Sequence, residues 1–343
     1  MKSILISAFL LISGISLAQQ TFIRQHGTST TYSSISDVFA AALDNDTIYL
    51  PGGAFSVTNL TISKKLNIFG VGHHPDSTLA TYATTISGNI IILNTASFGS
   101  IEGIYLTGTL RFGSAPTNQT VTNYTISRCS IENIELGYDY YTVGNASYIS
   151  IKDNIIRTII RGCNAQFVNI ENNLIQGSIE FFNGNVLVKN NTIIRGNGCP
   201  SYNTNELTTV TFENNIFMNN QMCGNVTITG ANSCIFQNNV FNANYTFPVG
   251  TNIGNGNYVN VSHTGFFVNE SNISFAYSDN FHLSNPSTYL GNDGTEVGMY
   301  GGSYPYKEGG VPRKPHVITK SIAPQTTTAG DLNINIQVGA QQN

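Results

Sequence analysis

Three arginines and one glutamate are the residues whose types and spacing could carry chemistry. Similar Asn-containing motifs lie a few residues before Arg157, Arg161 and Arg195. When these motifs are aligned, Glu180 falls beside Arg161. β-Elimination from a uronate sugar needs a base near the C5 proton and a cation that neutralises the carboxylate. These four residues are therefore the catalytic candidates for a polysaccharide lyase, provided that they share one face. The alternative is that Arg161 and Glu180 form an ion pair between neighbouring repeats.

Hydrolysis of a glycosidic bond is supported less well. It needs two carboxylates about 5–9.5 Å apart. Glu171 and Glu206 are the available partners for Glu180, but no pattern places either of them beside it. If the chain is an enzyme, a lyase is therefore favoured over a hydrolase. Calcium is expected only in that case, and no other cofactor is predicted.

A tyrosine-rich segment suits binding better than catalysis. The run ELGYDYYTVG places Tyr138, Tyr140 and Tyr141 around Asp139. Aromatic faces stack on sugar rings, and an adjacent carboxylate accepts hydrogen bonds from sugar hydroxyls. We therefore predict that these four residues form a ligand-binding loop. The competing interpretation is that the rings cover a loop or fill the interior.

The histidine and cysteine patterns predict no metal site. His73 and His74 are adjacent, so in a strand they cannot both face one ion, and an exposed turn is the favoured interpretation. The five cysteines contain no CxxC pair of the kind that zinc sites use. Cys199 and Cys223 fall at the same position of neighbouring repeats, so they are the predicted disulfide if one forms.

A repeat positions these candidates. Six segments share an alternating strand, an Asn-containing corner and a second apolar pair, at spacings of 25, 19, 18, 24 and 24 residues. Units this short cannot bury their own apolar face, so neighbours must stack. The predicted fold is all-β: a single right-handed parallel β-helix, or solenoid, with an N-terminal capping helix and a C-terminal strand-rich tail. The segments are YTISRCSI (Tyr124–Ile131), ISIKDNII (Ile149–Ile156), VNIENNLI (Val168–Ile175), VLVKNNTI (Val186–Ile193), VTFENNIF (Val210–Phe217) and CIFQNNVF (Cys234–Phe241).

The corner asparagines have a structural explanation. Asn tolerates left-handed backbone geometry, and stacked Asn side chains about 4.8 Å apart can bond one another in a ladder. Two residues before the second corner residue, the side chains of four consecutive repeats alternate in sign, which favours pairing between neighbouring strands. This file contains Lys152, Glu171, Lys189 and Glu213.

The two ends of the chain differ from the repeats. SSISDVFAAAL (Ser33–Leu43) has the apolar spacing of a short amphipathic helix with a Ser34 cap, which would cover the first coil. DGTEVGMYGGSYPY (Asp293–Tyr306) is expected to close the far end, and HVITKSIAP and LNINIQVGA are expected strands beyond it. The predicted boundaries are a signal peptide at 1–18, an N-terminal cap with the first coils at 19–72, the parallel β-helix at 73–306 and a C-terminal tail or cap at 307–343.

Export is predicted from the first residues. Met1–Ala18 has one Lys, an apolar run and Ser16-Leu17-Ala18 as a small-x-small cleavage site, and the run is shorter than the roughly 20 residues of a membrane span. A secreted or cell-surface location follows.

Charged residues are only 10% of the chain, while Asn occurs 43 times. Without clustered Lys and Arg, a nucleic-acid binder is excluded.

The entry segment carries a resemblance to a known family. The N-terminal part of the chain is similar to the entry segment of pectate-lyase-like right-handed parallel β-helix proteins. The similar stretch is SSISDVFAAALDNDTIYLPGGAF followed by ISKKLNIFGVG. The NN-containing coils and the segment DGTEVGMYGG look like the same superfamily. The resemblance covers roughly residues 21–306. The superfamily includes lyases, hydrolases, epimerases and adhesins. The NTD, DD, GHG and RIK motifs of its galacturonan hydrolases do not occur in this sequence, so no catalytic residue is carried over.

Two functions remain open at this point. The sparse carboxylates and absent motifs favour an exported, non-catalytic scaffold that binds a glycan or displays a surface, with a polysaccharide or cell-surface glycan as its partner and no membrane span. The alternative is a polysaccharide lyase or glycoside hydrolase that acts on a cell-wall or matrix polysaccharide. A groove that holds Arg157, Arg161, Glu180 and Tyr138 would favour the enzyme.

Overall fold

The computed structural model describes residues 21–138, 146–195, 207–219, 231–242, 244, 246–248, 250–270 and 272–340. These ranges contain one α-helix, α1 (Ile35–Ala41), and short 3-10 helices at Asp76–Thr78, Asn94–Ala96 and Pro286–Thr288. The strands in the same ranges are, in chain order, β1 (Phe22–His26), β2 (Thr28–Tyr32), β3 (Thr47–Tyr49), β4 (Gly53–Ile62), β5 (Asn67–Phe69), β6 (Thr84–Ile92), β7 (Ser100–Glu102), β8 (Tyr105–Ser114), β9 (Thr117–Asn118), β10 (Thr125–Ser127), β11 (Ser130–Glu135), β12 (Ser147–Lys152), β13 (Ile155–Arg161), β14 (Gln166–Glu171), β15 (Leu174–Ile175), β16 (Ser178–Glu180), β17 (Phe182–Lys189), β18 (Thr192–Arg195), β19 (Leu207–Glu213), β20 (Ile216–Asn219), β21 (Ala231–Asn232), β22 (Ile235–Gln237), β23 (Val240–Phe241), β24 (Ile253–Asn255), β25 (Phe267–Asn269), β26 (Asn280–Leu283), β27 (His316–Ile322) and β28 (Ile334–Gly339).

These strands form two large sheets. The first sheet has thirteen strands in the spatial order β2-β1-β3-β5-β7-β10-β12-β14-β17-β19-β22-β24, with β21 beside β19. The second sheet has eleven strands in the order β23-β20-β18-β15-β13-β11-β8-β6-β4, with β16 paired to β13 and β9 to β8. Except at β1, β2 and β9, the pairings in both sheets are parallel. Two separate antiparallel pairs, β25–β26 and β27–β28, lie outside them.

The predicted fold class is wrong. A single right-handed parallel β-helix was expected, but the strands belong to two open sheets, and in the described ranges no sheet closes on itself. The division occurs at the Asn-containing corners. There the first corner residue has a positive φ, as at Asp153 (56°) and Asn172 (53°), so the hydrogen-bonding direction turns and the next strand joins the other sheet. One sequence repeat therefore supplies strands to two separate layers.

The main core lies between the two sheets. Inward-facing isoleucines of the first sheet stack in register from strand to strand, and each is at most 1% exposed. β-Branched side chains suit this position because they pack well on a pleated surface. The stacked residues are Ile48, Ile68, Ile101, Ile126, Ile151 and Ile170.

The asparagine hydrogen bonds that the sequence predicts are present at the second corner residue. Asn173 Nδ2 donates to Asn191 Oδ1 at 2.9 Å, and Asn191 Nδ2 donates to Asn215 Oδ1 at 3.0 Å. The backbone N–H of each residue donates to the same neighbouring oxygen, which satisfies groups that are fully buried. The ladder also includes Asn154, Asn239 and Asn257.

The predicted register of the charged file is also confirmed. Lys152 pairs with Glu171, Glu171 with Lys189, and Lys189 with Glu213 across neighbouring strands of the first sheet.

The N-terminal helix is confirmed too, because Ser34 Oγ accepts a hydrogen bond from the N–H of Asp37 at 3.1 Å. The helix ends at Ala41, so Leu43 lies outside the buried stripe and is 49% exposed.

The C-terminal part of the chain covers the outer surface of the second sheet. Residues 272–313, called the covering segment below, run back along this sheet instead of closing its end as expected. Asn172 Nδ2 donates to the carbonyls of Met299 and Gly301 at 2.9 Å, and Arg313 contacts Glu102. Outward-facing Ile155 and Leu174 are buried beneath it. Beyond it, the two expected C-terminal strands form the β27–β28 pair.

Candidate functional site

Two of the catalytic candidates belong to a file of alternating charges on the second sheet. Glu135 pairs in register with Arg111 on one side and Arg161 on the other, and Arg161 pairs with Glu180. Glu135 Oε1 accepts a hydrogen bond from Arg161 Nη1 at 2.7 Å, and its Oε2 accepts one from Arg111 Nε at 2.5 Å. Arg161 lies 3.9 Å from Glu180, whose other oxygen accepts a hydrogen bond from Ser178. The expected neighbours Arg161 and Glu180 therefore lie within a four-residue ion-pair network.

Arg157 belongs to a different cluster. Its Nε donates to Ser130 Oγ at 3.2 Å, and its guanidinium lies 5.0 Å from the ring centre of Tyr105 and 5.7 Å from that of Phe275. Arg157 and Arg161 thus contact different partners. The strand β18 includes Arg195, whose side chain lies outside the described residues, as do Asp139, Tyr140, Tyr141, Glu206, Cys199 and Cys223. Tyr138 is described and half-buried.

The interpretation of His73 and His74 as an exposed turn is wrong for His73. This side chain is 2% exposed, and its Nδ1 lies 3.1 Å from the hydroxyl of Tyr277 in the covering segment. Burial, followed by the charges of His74 and Arg157, lowers the pKa of His73 to about 3. The sequence did not indicate this because the covering segment that buries His73 lies some 200 residues away in the chain.

An exposed aromatic pair lies on the outer surface of the first sheet. The rings of Tyr148 and Phe167 stack with centroids 4.8 Å apart and planes 5° apart, on the neighbouring strands β12 and β14. Tyr148 is 57% exposed and Phe167 is 44% exposed, whereas Phe212 and Phe236 on other strands of the same sheet are buried. Two aromatic rings held in this way offer a ready stacking surface to a ligand.

The backbone at this pair is unusual for aromatic residues. Tyr148 has φ 58° and Phe167 has φ 54°, in the left-handed region that bulky side chains rarely adopt. Asn123, two residues before β10, occupies the equivalent register position, and left-handed geometry costs less for Asn. Strained residues cluster at functional sites, so such an outlier is a reason to look for function.

Polar side chains continue the surface along both strands. β12 presents Ser150 and Lys152 outward, and β14 presents Asn169 and Glu171, while the residues between them are buried. We call these four residues, with Tyr148 and Phe167, the aromatic face. It combines two stacked rings with a hydroxyl, an amide and one charge of each sign, which is the set of groups that contacts sugar rings and their hydroxyls.

Sequence reasoning missed several of these residues. Tyr148 and Phe167 each lie six residues before the corner asparagine of their repeat, so the register contained the signal. This position did not predict an exposed aromatic pair, because aromatic residues are not expected where the backbone is left-handed. Arg111 was missed because its repeat is too irregular to align with the six clear segments.

Comparison with known proteins gives no family for this chain. No protein-family model matches it, and no curated protein matches it either. The resemblance to pectate-lyase-like proteins therefore stays a prediction. Across the described ranges, no three His, Cys, Asp or Glu side chains are grouped so that they could hold a metal ion. The helices in those ranges are too short or too polar to cross a bilayer.

Proposed function

We propose that this chain is an exported, non-catalytic glycan-binding protein, which contacts an uncharged polysaccharide through the aromatic face. The observation that carries the proposal is the stacked, exposed pair of Tyr148 and Phe167. Sugar rings present C–H groups on one or both faces, and these pack on aromatic rings, while the sugar hydroxyls seek polar partners. Ser150 lies beside the rings on β12, and its hydroxyl offers such a partner.

The charges around the rings favour an uncharged ligand. Lys152 and Glu171 are paired in register, and the same alternation continues through Lys189 and Glu213. A polyuronate would meet a carboxylate at every second strand, and like charges in contact are unfavourable. We therefore expect neutral glycans to bind at least as well as acidic ones.

The non-catalytic part of the proposal is supported by the arginine contacts. Arg161 is hydrogen-bonded to Glu135, whereas Arg157 contacts Ser130 and two aromatic rings. A lyase would need its cations directed at the substrate carboxylate, and these guanidinium groups are directed at protein partners. Among the residues that the structure describes, no observation specifically favours the enzyme alternative.

Export is supported by the N-terminal sequence. Met1–Ala18 has the charge, apolar run and small residues of a cleavable signal, and these residues lie outside the described ranges. We propose that the mature chain is secreted or held at the cell surface. The test is N-terminal sequencing of the protein recovered from medium and cell envelope. An intact N-terminus on a chain found only in the cytoplasm would contradict export.

Affinity electrophoresis tests the binding proposal. The mature chain is run in gels containing neutral β-glucan, xylan, mannan or polygalacturonate, and its retardation is compared with that of Tyr148→Asn/Phe167→Asn. Asn is chosen because it tolerates the left-handed backbone of this file. The matched control is Tyr82→Asn, which removes another exposed aromatic ring at φ 62°.

The expected result is retardation by a neutral glycan that the double variant loses and the control keeps. Equal retardation of all three proteins would overturn the assignment to the aromatic face. Absence of retardation in every gel would overturn glycan binding. Formation of unsaturated or reducing-end products from any of these glycans would overturn the non-catalytic assignment.

A further inference from the structure

A cleft lies between the second sheet and the covering segment, away from the first sheet and its aromatic face. Its volume is about 420 Å³, within the range of pockets that hold small organic ligands. Ile155 and Leu174 of the second sheet form part of its lining, and the 3-10 helix at Asp76–Thr78 contributes Asp76 and Ser77. The cleft therefore brings together three parts of the chain that are distant in sequence.

Aromatic side chains form much of the wall. They are Phe275, Tyr277, Phe281, Tyr300 and Tyr306. Aromatic rings attract cations through the negative potential above their faces. This wall already holds one cation from the protein, since the guanidinium of Arg157 lies 5.7 Å from the ring centre of Phe275.

The charged groups that line the cleft are carboxylates. Asp76, Asp279 and Glu308 contribute to the lining, and the described lining residues include no Lys or Arg. Asp76 and Glu308 are exposed at the rim, where the Glu308 side chain is 68% accessible. Asp279 is directed inward on its own loop, because its Oδ2 accepts a hydrogen bond from the N–H of Ala276 at 2.6 Å.

Two histidines lie beside these carboxylates. His74 Nδ1 accepts a hydrogen bond from the N–H of Asp76 at 3.2 Å. His282 stacks on Tyr300 with centroids 3.7 Å apart and contacts Glu308 at 3.3 Å. Burial, followed by the charge of Glu308, raises the pKa of Tyr300.

We propose that this cleft binds a primary ammonium group of a small organic ligand, with Asp76 and Glu308 as the rim carboxylates and the tyrosines as the wall. An ammonium group satisfies both features at once, because it pairs with carboxylates and packs against ring faces. An amino sugar and a free polyamine both carry this group. The inference is independent of the proposed function, since it concerns another surface and another ligand charge.

Isothermal titration of the mature chain tests the proposal with two matched ligand pairs. The first pair is a glucosamine tetramer and the N-acetylglucosamine tetramer, measured at a pH where the amine is protonated. The second pair is spermidine and its fully N-acetylated form. In each pair the two ligands differ in whether the amine is charged or acetylated. The comparison therefore measures how much the ammonium group contributes to binding in the cleft.

The expected result is that at least one ammonium ligand binds ten times more tightly than its acetylated partner. Binding should weaken as salt rises, because exposed rim carboxylates are screened. Selective binding of the glucosamine tetramer identifies an amino sugar, and selective binding of spermidine identifies a polyamine. Equal binding of charged and acetylated ligands, or binding of neither ammonium ligand, would overturn the proposal.

A double variant, Asp76→Asn/Glu308→Gln, tests the location. Both substitutions keep the side-chain shape and remove the rim charge, so we expect the affinity to fall at least fivefold. Asp331→Asn, in the exposed loop before β28, removes the same kind of charge outside the cleft and should leave the affinity unchanged. An unchanged affinity in the double variant would overturn the assignment. Thermal unfolding of all three proteins checks that they are folded.

Discussion

The carboxylate of Asp153 lies 3.9 Å from Nε of Arg128, its neighbour in the file of left-handed corner residues. Asp153 is 8% exposed, and one of its oxygens has no hydrogen-bond partner. Burial therefore outweighs the attraction of Arg128 and raises the pKa of Asp153 from 3.8 to about 6. The covering segment lies against this pair, since Arg128 Nη1 donates to the carbonyl of Val311 at 3.4 Å.

The first prediction concerns Asp153 and pH. Between about pH 4 and pH 6, the folded chain holds a proton that the unfolded chain has released, so this group lowers the free energy of unfolding as pH rises. Asp153→Asn should therefore stabilise the protein above pH 6 by up to about 3 kcal/mol and have little effect below pH 4. Urea unfolding at pH 4 and pH 8 measures the difference. If the free energies of unfolding of the variant and the parent differed by the same amount at pH 4 and pH 8, the raised pKa of Asp153 would be contradicted.

The second prediction concerns His73, which acts in the opposite direction. Its pKa is lowered from 6.5 to about 3, so the stabilisation present above pH 6.5 is lost as pH falls toward 3. The difference in free energy of unfolding between the parent and His73→Gln should decrease by about 3 kcal/mol from pH 7 to pH 4. Glutamine keeps a hydrogen-bonding group near Tyr277 but does not titrate. A gap that stays constant across this range would show that His73 titrates normally.

The third prediction concerns the asparagine ladder. Asn191 Oδ1 accepts two hydrogen bonds from Asn173, and Asn191 Nδ2 donates to Ile170 and Asn215. Asn191→Ala leaves these buried groups without partners, so we expect a loss of about 3 kcal/mol or more. Chemical denaturation measures it. Asn59→Ala is the control, because Asn59 makes its hydrogen bond to Asn89 at the exposed surface, and it should cost less than about 0.5 kcal/mol.

The fourth prediction separates the ion-pair file from glycan binding. Glu135→Gln replaces the carboxylate between Arg111 and Arg161 with a neutral amide, whose single oxygen can accept from only one of the two guanidinium groups, so stability should fall by about 1–3 kcal/mol. Because the file lies on the second sheet, retardation by neutral glycans should not change. Loss of retardation in a folded Glu135→Gln protein would place the ligand on the second sheet instead of the aromatic face.

Local features were predictable from the sequence where the repeat is regular. The register of Lys152 with Glu171, the Asn191 hydrogen bonds and the Ser34 cap all depend on residues within one or two repeats. The division into two open sheets was not predicted, because one repeated motif supplies strands to both layers. The candidate site was predicted only in part. Arg161 and Glu180 are neighbours as expected, but Tyr148 and Phe167 contradict the usual backbone preference of aromatic residues.

The covering segment was the least predictable part, since it has no periodicity and its partners are remote. It is held to two corners between the sheets, at Asn214 and Asn172, and to the end of β7, at Glu102, by contacts that join residues 78, 127 and 211 positions apart. Such contacts can form only after the strands from β7 to β19 have stacked, and long loop closures of this kind are slow. We therefore expect this segment to dock late as the chain folds. The cleft and the buried states of His73 and Asp153 exist only in the completed molecule.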